Sequence, residues 1–357
     1  MKIFVPGRLC LFGEHSDWAG GYRRLNPALE KGYTLLVGTN QGLYAEVKPH
    51  PTHLILRTSL CDGTRKEPLV LPMERQTLLA EAEKGGFSSY AAGVAYQFLT
   101  YYHVGGLEID NYLTDLPIQK GLSSSAAICV LVARAFNRLY NLKMTIRGEM
   151  EFAYLGEITT PSRCGRMDQA CAYGNRPIMM VFDGDSLRDS FASRTDVIEL
   201  NVPKDLYFVI VDLGASKNTQ EILSQLNHCY PFATNAVQQN VQNYLGSISA
   251  RITQEAVDAL QRGDAKCIGI LMKKAQAEFD RYLIPACPSQ LTAPTLHQIL
   301  NYEPIQPYIW GGKGVGSQGD GAAQFIVGDE ESQQKVIEII EHDFPQMQAL
   351  KLTIYAD

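Results

Sequence analysis

Three groups of residues in this 357-residue chain have types and spacings that could do chemistry. In Pro117-Ile118-Gln119-Lys120-Gly121-Leu122-Ser123-Ser124-Ser125-Ala126-Ala127, a glycine and three serines head an apolar run over 126–140. Unpaired backbone N–H groups and the positive end of a helix dipole converge at such a turn and suit phosphate oxygens. Serine hydroxyls approach phosphate closely and can ligate Mg²⁺, so Gly121, Leu122, Ser123, Ser124, Ser125 and Ala126 read as a nucleotide triphosphate cradle. The same residues also suit a serine-capped core helix. A second group, Gly13-Glu14-His15-Ser16-Asp17-Trp18-Ala19-Gly20-Gly21, sets three ionisable side chains in four positions. Carboxylates and an imidazole can together satisfy several sugar hydroxyls, and a solvated, capped turn uses the same residue types. The third group pairs Glu157 with Asp168 in Ser162-Arg163-Cys164-Gly165-Arg166-Met167-Asp168-Gln169. Near a phosphate cradle, one such carboxylate would ligate Mg²⁺ and the other act on an accepting hydroxyl. Alternatively Glu157 is a helix-surface charge and Asp168 an N-cap.

These groups need elements to position them. A strand over 3–5, broken at Pro6-Gly7, leads to the Glu14 loop, and alternating segments at 34–39, 43–48 and 54–58 read as antiparallel strands. Helical spacing covers 88–102, and the strand at 107–113 runs into the serine turn, giving the order strand, Gly/Ser turn, helix. A helix over 149–158 carries Glu157. Strands at 178–182 and 206–211 flank a polar stretch, with a boundary expected near 195–205. Helical patterns at 233–245, 254–260, 265–282 and 293–300 follow. Strand 323–327, helix 331–342 and strand 350–355 close an α+β chain of two domains, 1–200 and 201–357. Ser216-Lys217-Asn218-Thr219, after the 206–211 strand, is a candidate for substrate selectivity.

Composition excludes several classes of function. Lys+Arg 32 against Asp+Glu 38 gives a net charge of -6, which supports neither a nucleic-acid nor an anionic-membrane surface. The apolar stretch before Pro6-Gly7 is too short for a signal peptide and no window is apolar enough to span a bilayer, so the expected location is the cytoplasm. The expected partners are small molecules, the chain itself being a monomer or homodimer. The eight cysteines show no Cys-x-x-Cys or finger spacing and read as free buried thiols. Gly314-x-Gly316-x-x-Gly319 satisfies a dinucleotide-binding string, but a strand follows it instead of a helix, so it reads as a turn. No Gly-x-x-x-x-Gly-Lys-[Ser/Thr] loop, His-Arg-Asp loop or His-Glu-x-x-His helix occurs.

Three separated motifs, Pro6-Gly7-Arg8-Leu9 through Gly21, Pro117 through Ala127, and Gly311 through Gly321, resemble in order and spacing the signatures of the GHMP small-molecule kinases. These include galactokinase, homoserine kinase, mevalonate kinase and phosphomevalonate kinase. The first motif is most similar to galactokinases, through Gly7-Arg8, Gly13-Glu14-His15, Asp17-Trp18 and Gly20-Gly21, as is Cys164-Gly165-Arg166-Met167-Asp168-Gln169. The resemblance implies an amino-terminal domain like domain 2 of ribosomal protein S5 and a ferredoxin-like carboxy-terminal domain. It implies Asp168 as the base facing the reacting hydroxyl, with Arg8 beside it, and substrate contacts from Glu14, His15, Asp17, Gly20 and Gly21. Glu157 with Ser125 or Ser124 corresponds to the family's Mg²⁺ ligands. The expected activity is ATP- and Mg²⁺-dependent phosphorylation of a monosaccharide at its anomeric hydroxyl. A mevalonate-type kinase and a silent sugar- and ATP-binding regulator are the alternatives.

Overall fold

The computed structural model describes residues 1–116, 122–162, 164–184 and 194–357. By their internal contacts these form two compact units, Met1–Arg8 with Gly38–Asn175, and Leu9–Val37 with Arg176–Asp357. Neither is continuous in sequence.

The first unit draws its sheet from residues 2–8 of β1 (Lys2–Phe12), residues 38–50 of β2 (Gly32–His50), β3 (His53–Thr58), β4 (Leu69–Pro72) and β5 (Gly106–Thr114). β3 lies antiparallel to β4 and parallel to β5, and β5 runs antiparallel to the later half of β2, with Val47 opposite Ile109. Contrary to expectation, β1 does not break at Pro6-Gly7. Proline lacks an N–H, which a strand tolerates where no ladder bond is needed, and the next amide, Arg8, donates to Leu122 O at 3.0 Å. The two strands expected at 34–39 and 43–48 are likewise one, β2. Gly42 sits so close to β1 that a Cβ would fall 2.8 Å from Pro6 Cα, and the strand passes through it without turning.

The helix Ser124–Leu139 is buried on every side from Ala126 to Asn137, a stretch apolar but for Arg134 and Asn137. Phe136 stacks on Phe98 of the helix Phe87–Tyr101 at 4.7 Å between ring centroids. That helix in turn comes closest to the helix Ile146–Ile158 at Gly156. A Cβ at Gly156 would fall 2.6 Å from Val94 Cα, so glycine alone permits the approach.

In the second unit the start of β2 pairs antiparallel with β6 (Ile178–Asp183), and β6 with β7 (Arg194–Glu199). A separate antiparallel sheet has the order β11 (Gln348–Ile354), β8 (Leu206–Asp212), β10 (Ala322–Val327), β9 (Ile309–Gly314). The helix Glu330–Asp343 buries Val336, Ile337 and Ile340 with Val209, Val211 and Phe325. The long helix Ala265–Leu283 approaches β9, where Gly269 faces Gly311. The 314–319 glycine string is the turn between β9 and β10, with Gly316 and Gly319 at φ 64° and 72°. Sequence periodicity misses β4, β7 and the helices Arg75–Lys84 and Thr219–Asn227. The helical pattern at 233–245 begins at Ala236, because Asn235 caps it by accepting from Gln238 N at 3.0 Å. Among the described residues no helix is long and apolar enough to cross a membrane. All eight cysteines are free, but Cys61 is exposed and Cys164 and Cys267 are only half-buried, which corrects the expectation of uniform burial.

Candidate active site

In the first unit, the bond from Arg8 N to Leu122 O holds β1 against the end of the serine turn. Gly7 is needed there, since a Cβ would stand 2.9 Å from that same carbonyl oxygen. Arg8 is thereby aimed at Ser123, and its guanidinium donates to Ser123 Oγ at 2.7 Å. Ser123 occupies the N-cap position of the helix Ser124–Leu139, yet its side chain makes no capping bond. Its backbone is left-handed, at φ 56°, a conformation that costs a non-glycine residue free energy. The hydroxyl so turned donates to Asp168 Oδ1 at 2.8 Å, and Arg8 forms an ion pair with the same oxygen. Among the described residues Asp168 Oδ2 has no hydrogen-bond partner. Asp168 opens the 3₁₀ turn Asp168–Tyr173, and its carboxylate serves Arg8 and Ser123 instead of capping that turn.

Glu157 is not a surface charge. It is 1% exposed in the last turn of its helix, seated there by the Gly156 contact. Its carboxylate accepts from Gln169 Nε2 at 2.8 Å and from the Ser125 hydroxyl. Burial, and then the nearby charge of Asp168, push its pKa up to about 7. Of the expected cradle, Leu122 and Ala126 bury their side chains, while Ser123, Ser124 and Ser125 are half-buried. Gly121, with 117–120 of the same motif, lies outside the described residues.

Arg134 is absent from the sequence-derived set. It is buried, pairs with Glu149 at 2.8 Å and donates to Ala172 O, tying down the far end of the Asp168 turn. A charged residue inside the apolar run 126–137 is the signal that could have found it.

The second unit holds the other group. After β1 the chain turns at Gly13 (φ 90°), where a Cβ would stand 2.8 Å from Thr34 Cα, and again at His15 in the left-handed region (φ 68°). Glu14 forms an ion pair with Lys313 of β9, and both side chains are sealed from solvent. Lys313 also donates to Gly314 O at 2.9 Å. His15 Nδ1 accepts from Trp18 Nε1–H at 3.2 Å, which leaves the proton on Nε2, 3.4 Å from Ser317 O. Burial lowers the pKa of His15 to about 4, with the charges of Lys217 and Lys313 acting in the same direction, so the ring is neutral at pH 7. Asp17 is buried, Gly20 O accepts from Gly184 N at 3.2 Å, and Gly21 has open space where a side chain would be. Trp18, Tyr22 and Tyr230 pack on one another, with ring centroids 5.2 Å apart between the two tyrosines. Glu14, His15 and Asp17 therefore share one unit, as do Arg8, Ser123, Glu157 and Asp168. Lys313 lies 299 residues from its partner, and the sequence offered no signal for the pairing. Among the described residues no three His, Cys, Asp or Glu side chains cluster as a metal site.

Residues 89–175 match the GHMP kinases N terminal domain family. The chain is 25% identical over 283 residues to a galactokinase of Thermococcus kodakarensis, covering 77% of this chain and 69% of that one. A galactokinase of Clostridium beijerinckii is 31% identical over 200 residues, covering 54% of this chain. There the match spans about half the length of the relative, 46%. The structure of Lactococcus lactis galactokinase complexed with galactose superimposes with a TM-score of 0.70 at 16% identity, covering 99% of this chain and 93% of that one, which shows a common fold. The architecture is the two-domain α+β fold of these kinases, and the chain is similar over residues 89–175 to the GHMP kinase N-terminal domain and over longer stretches to galactokinases.

Proposed function

We propose that the chain is an ATP- and Mg²⁺-dependent kinase that phosphorylates a monosaccharide at its anomeric hydroxyl. The observation that carries this reading is the asymmetry of Asp168: Oδ1 is anchored by Arg8 and Ser123, while Oδ2 has no partner among the described residues. A hydroxyl presented to Oδ2 gives up its proton as its oxygen bonds to the γ-phosphorus and the bond to the leaving ADP breaks. Arg8 offsets negative charge that builds during transfer. Such a transfer has a loose transition state, so positioning and electrostatics supply most of the acceleration. Ser123 then serves as a positioning residue for Asp168, and the backbone amides of Leu122 through Ala126, at the positive end of a buried helix, would receive the phosphates.

Mg²⁺ fits what the structure offers. Ser125 and Glu157 bring a hydroxyl and a carboxylate together, hard oxygen donors of the kind Mg²⁺ takes alongside phosphates and water. The ion would neutralise phosphate charge there. Glu14, His15, Asp17, Gly20 and Gly21 are assigned to the sugar, Glu14 through the loop shape that its ion pair with Lys313 holds and Asp17 as an acceptor of sugar hydroxyls. The domain division 1–200 and 201–357, a cytoplasmic location and a monomeric or homodimeric state belong to the same reading.

The test is ADP release with Mg²⁺-ATP over hexoses, hexosamines, pentoses, uronic acids, heptose phosphates, mevalonate and homoserine. One strongly turned-over sugar, with phosphorus NMR placing the phosphate on the anomeric oxygen, is the expected result. Turnover of mevalonate alone would overturn the substrate assignment, and nucleotide and sugar binding without any turnover would overturn the catalytic one.

A further inference from the structure

Lys217 stands between β8 and the helix Thr219–Asn227, in the stretch the sequence marks for selectivity. It is half-buried, and its ammonium donates to Gln318 O at 3.0 Å. An ammonium has three donors, and among the described residues no carboxylate takes either of the other two. The neighbouring acids are otherwise engaged. Glu221 accepts from Ser289 Oγ and Gln290 Nε2, Asp320 accepts from Leu296 N, and Asp212 accepts from Gly214 N. Lys313, by contrast, is matched by Glu14. Position 321 adds no side chain to this corner, since a Cβ at Gly321 would stand 2.7 Å from Lys217 Nζ.

Other polar atoms gather here. Ser317 Oγ lies 3.3 Å from Thr219 Oγ1 at the start of that helix. His15 feels the charge of Lys217, which places the lysine electrostatically within reach of the Glu14 loop. Burial lowers its pKa to about 8, a penalty that counts against keeping an unmatched cation. Such a cation is retained where a ligand supplies the opposite charge.

We propose that Lys217 receives an anionic oxygen group, phosphoryl or carboxylate, of a bound small molecule. Given the kinase reading, on which only the choice of source rests, that group is the terminal phosphate of the nucleotide or an acidic substituent of the acceptor. The two sources share one chemistry and separate by experiment. Calorimetry on the full chain would use ADP, the non-hydrolysable analogue AMPPNP, galactose, galacturonate and galactose 6-phosphate, against Lys217→Met and Lys217→Arg.

Lys217→Met should weaken at least one anionic probe by about tenfold to a hundredfold, the worth of a charge-assisted contact, and leave galactose unchanged. Lys217→Arg should restore most of that affinity. Weakening of AMPPNP but not ADP assigns the terminal phosphate. Weakening of galacturonate or galactose 6-phosphate with AMPPNP unchanged assigns the acceptor. Anionic probes unchanged in Lys217→Met, or galactose weakened equally, would overturn the proposal. If neither nucleotide binds the wild-type chain, the kinase reading fails. Inorganic phosphate then decides the role of the lysine: it should raise the melting temperature of wild type more than that of Lys217→Met, and equal shifts reject it.

Discussion

Two ion pairs with a sealed cation, one from each compact unit, differ in what they leave open. Around Arg8 and Asp168 the cation is sealed at 5% side-chain exposure while the carboxylate stays 22% exposed. Around Lys313 and Glu14 both partners are sealed, at 1% and 4%. Burying both charges costs desolvation on both sides and makes the pair intolerant of losing one partner. Burying the cation alone anchors the carboxylate and keeps one of its oxygens for chemistry. The first arrangement suits an acting group, the second a loop that must keep its shape.

The most direct way to break this contrast is to neutralise the acting carboxylate. Asp168→Asn should lose about a thousandfold in kcat, within the range for a general base, with nucleotide Kd within about twofold of wild type. Calorimetry beside single-turnover kinetics separates the two, and near-normal turnover would end the base assignment. Lys313→Met should cost about 3–5 kcal/mol of stability by taking the paired cation away from a sealed carboxylate, and Glu14→Gln in the same chain should recover much of it. Melting temperatures of the single and double variants are the check, and equal losses in both would show that the sealed pair is not what matters.

His15 sharpens the comparison through pH. The folded ring resists protonation until about pH 4, whereas an unfolded histidine protonates near 6.5. Between those values the unfolded chain binds more protons, so stability falls as pH drops from 6.5 toward 4, and above 6.5 the contribution is fully present. The expected loss is up to about 3 kcal/mol, and His15→Gln should lack it in denaturant titrations across that range. The smallest effect is expected at Ser123. Ser123→Ala removes one bond to Asp168 Oδ1 and should lower kcat about tenfold while leaving KM for the sugar unchanged. A rise in KM alone would assign the serine to binding instead.

Much of the fold was legible because apolar periodicity reports burial directly: the strands at 107–113 and 206–211 and the helix at 265–282 fall within a residue or two of the observed elements. Proline and glycine misled it. At Pro6-Gly7 and Gly42 they mark close backbone approach inside continuous strands and not turns. Glu157 and Asp168 could be singled out by residue type and motif, but their environments could not. Burial of Glu157 depends on a glycine contact between two helices, and the partner of Asp168 lies 160 residues away. Lys313 and Arg134 took their significance only from what surrounds them in three dimensions, and Lys217, though in a stretch the sequence marks, showed its unmatched charge only there, which spacing along a chain does not encode.

The hydrogen bond from Trp18 to His15 has an optical consequence. The chain holds two tryptophans, and the other, Trp310, is 42% exposed on β9. Trp18 lends its indole N–H to the ring nitrogen that must stay unprotonated, so its emission carries a native readout of the Glu14 loop. With Trp310→Phe removing the second emitter, a change of intensity on adding a sugar, or on acidification toward pH 4, would report the state of that loop without any attached dye.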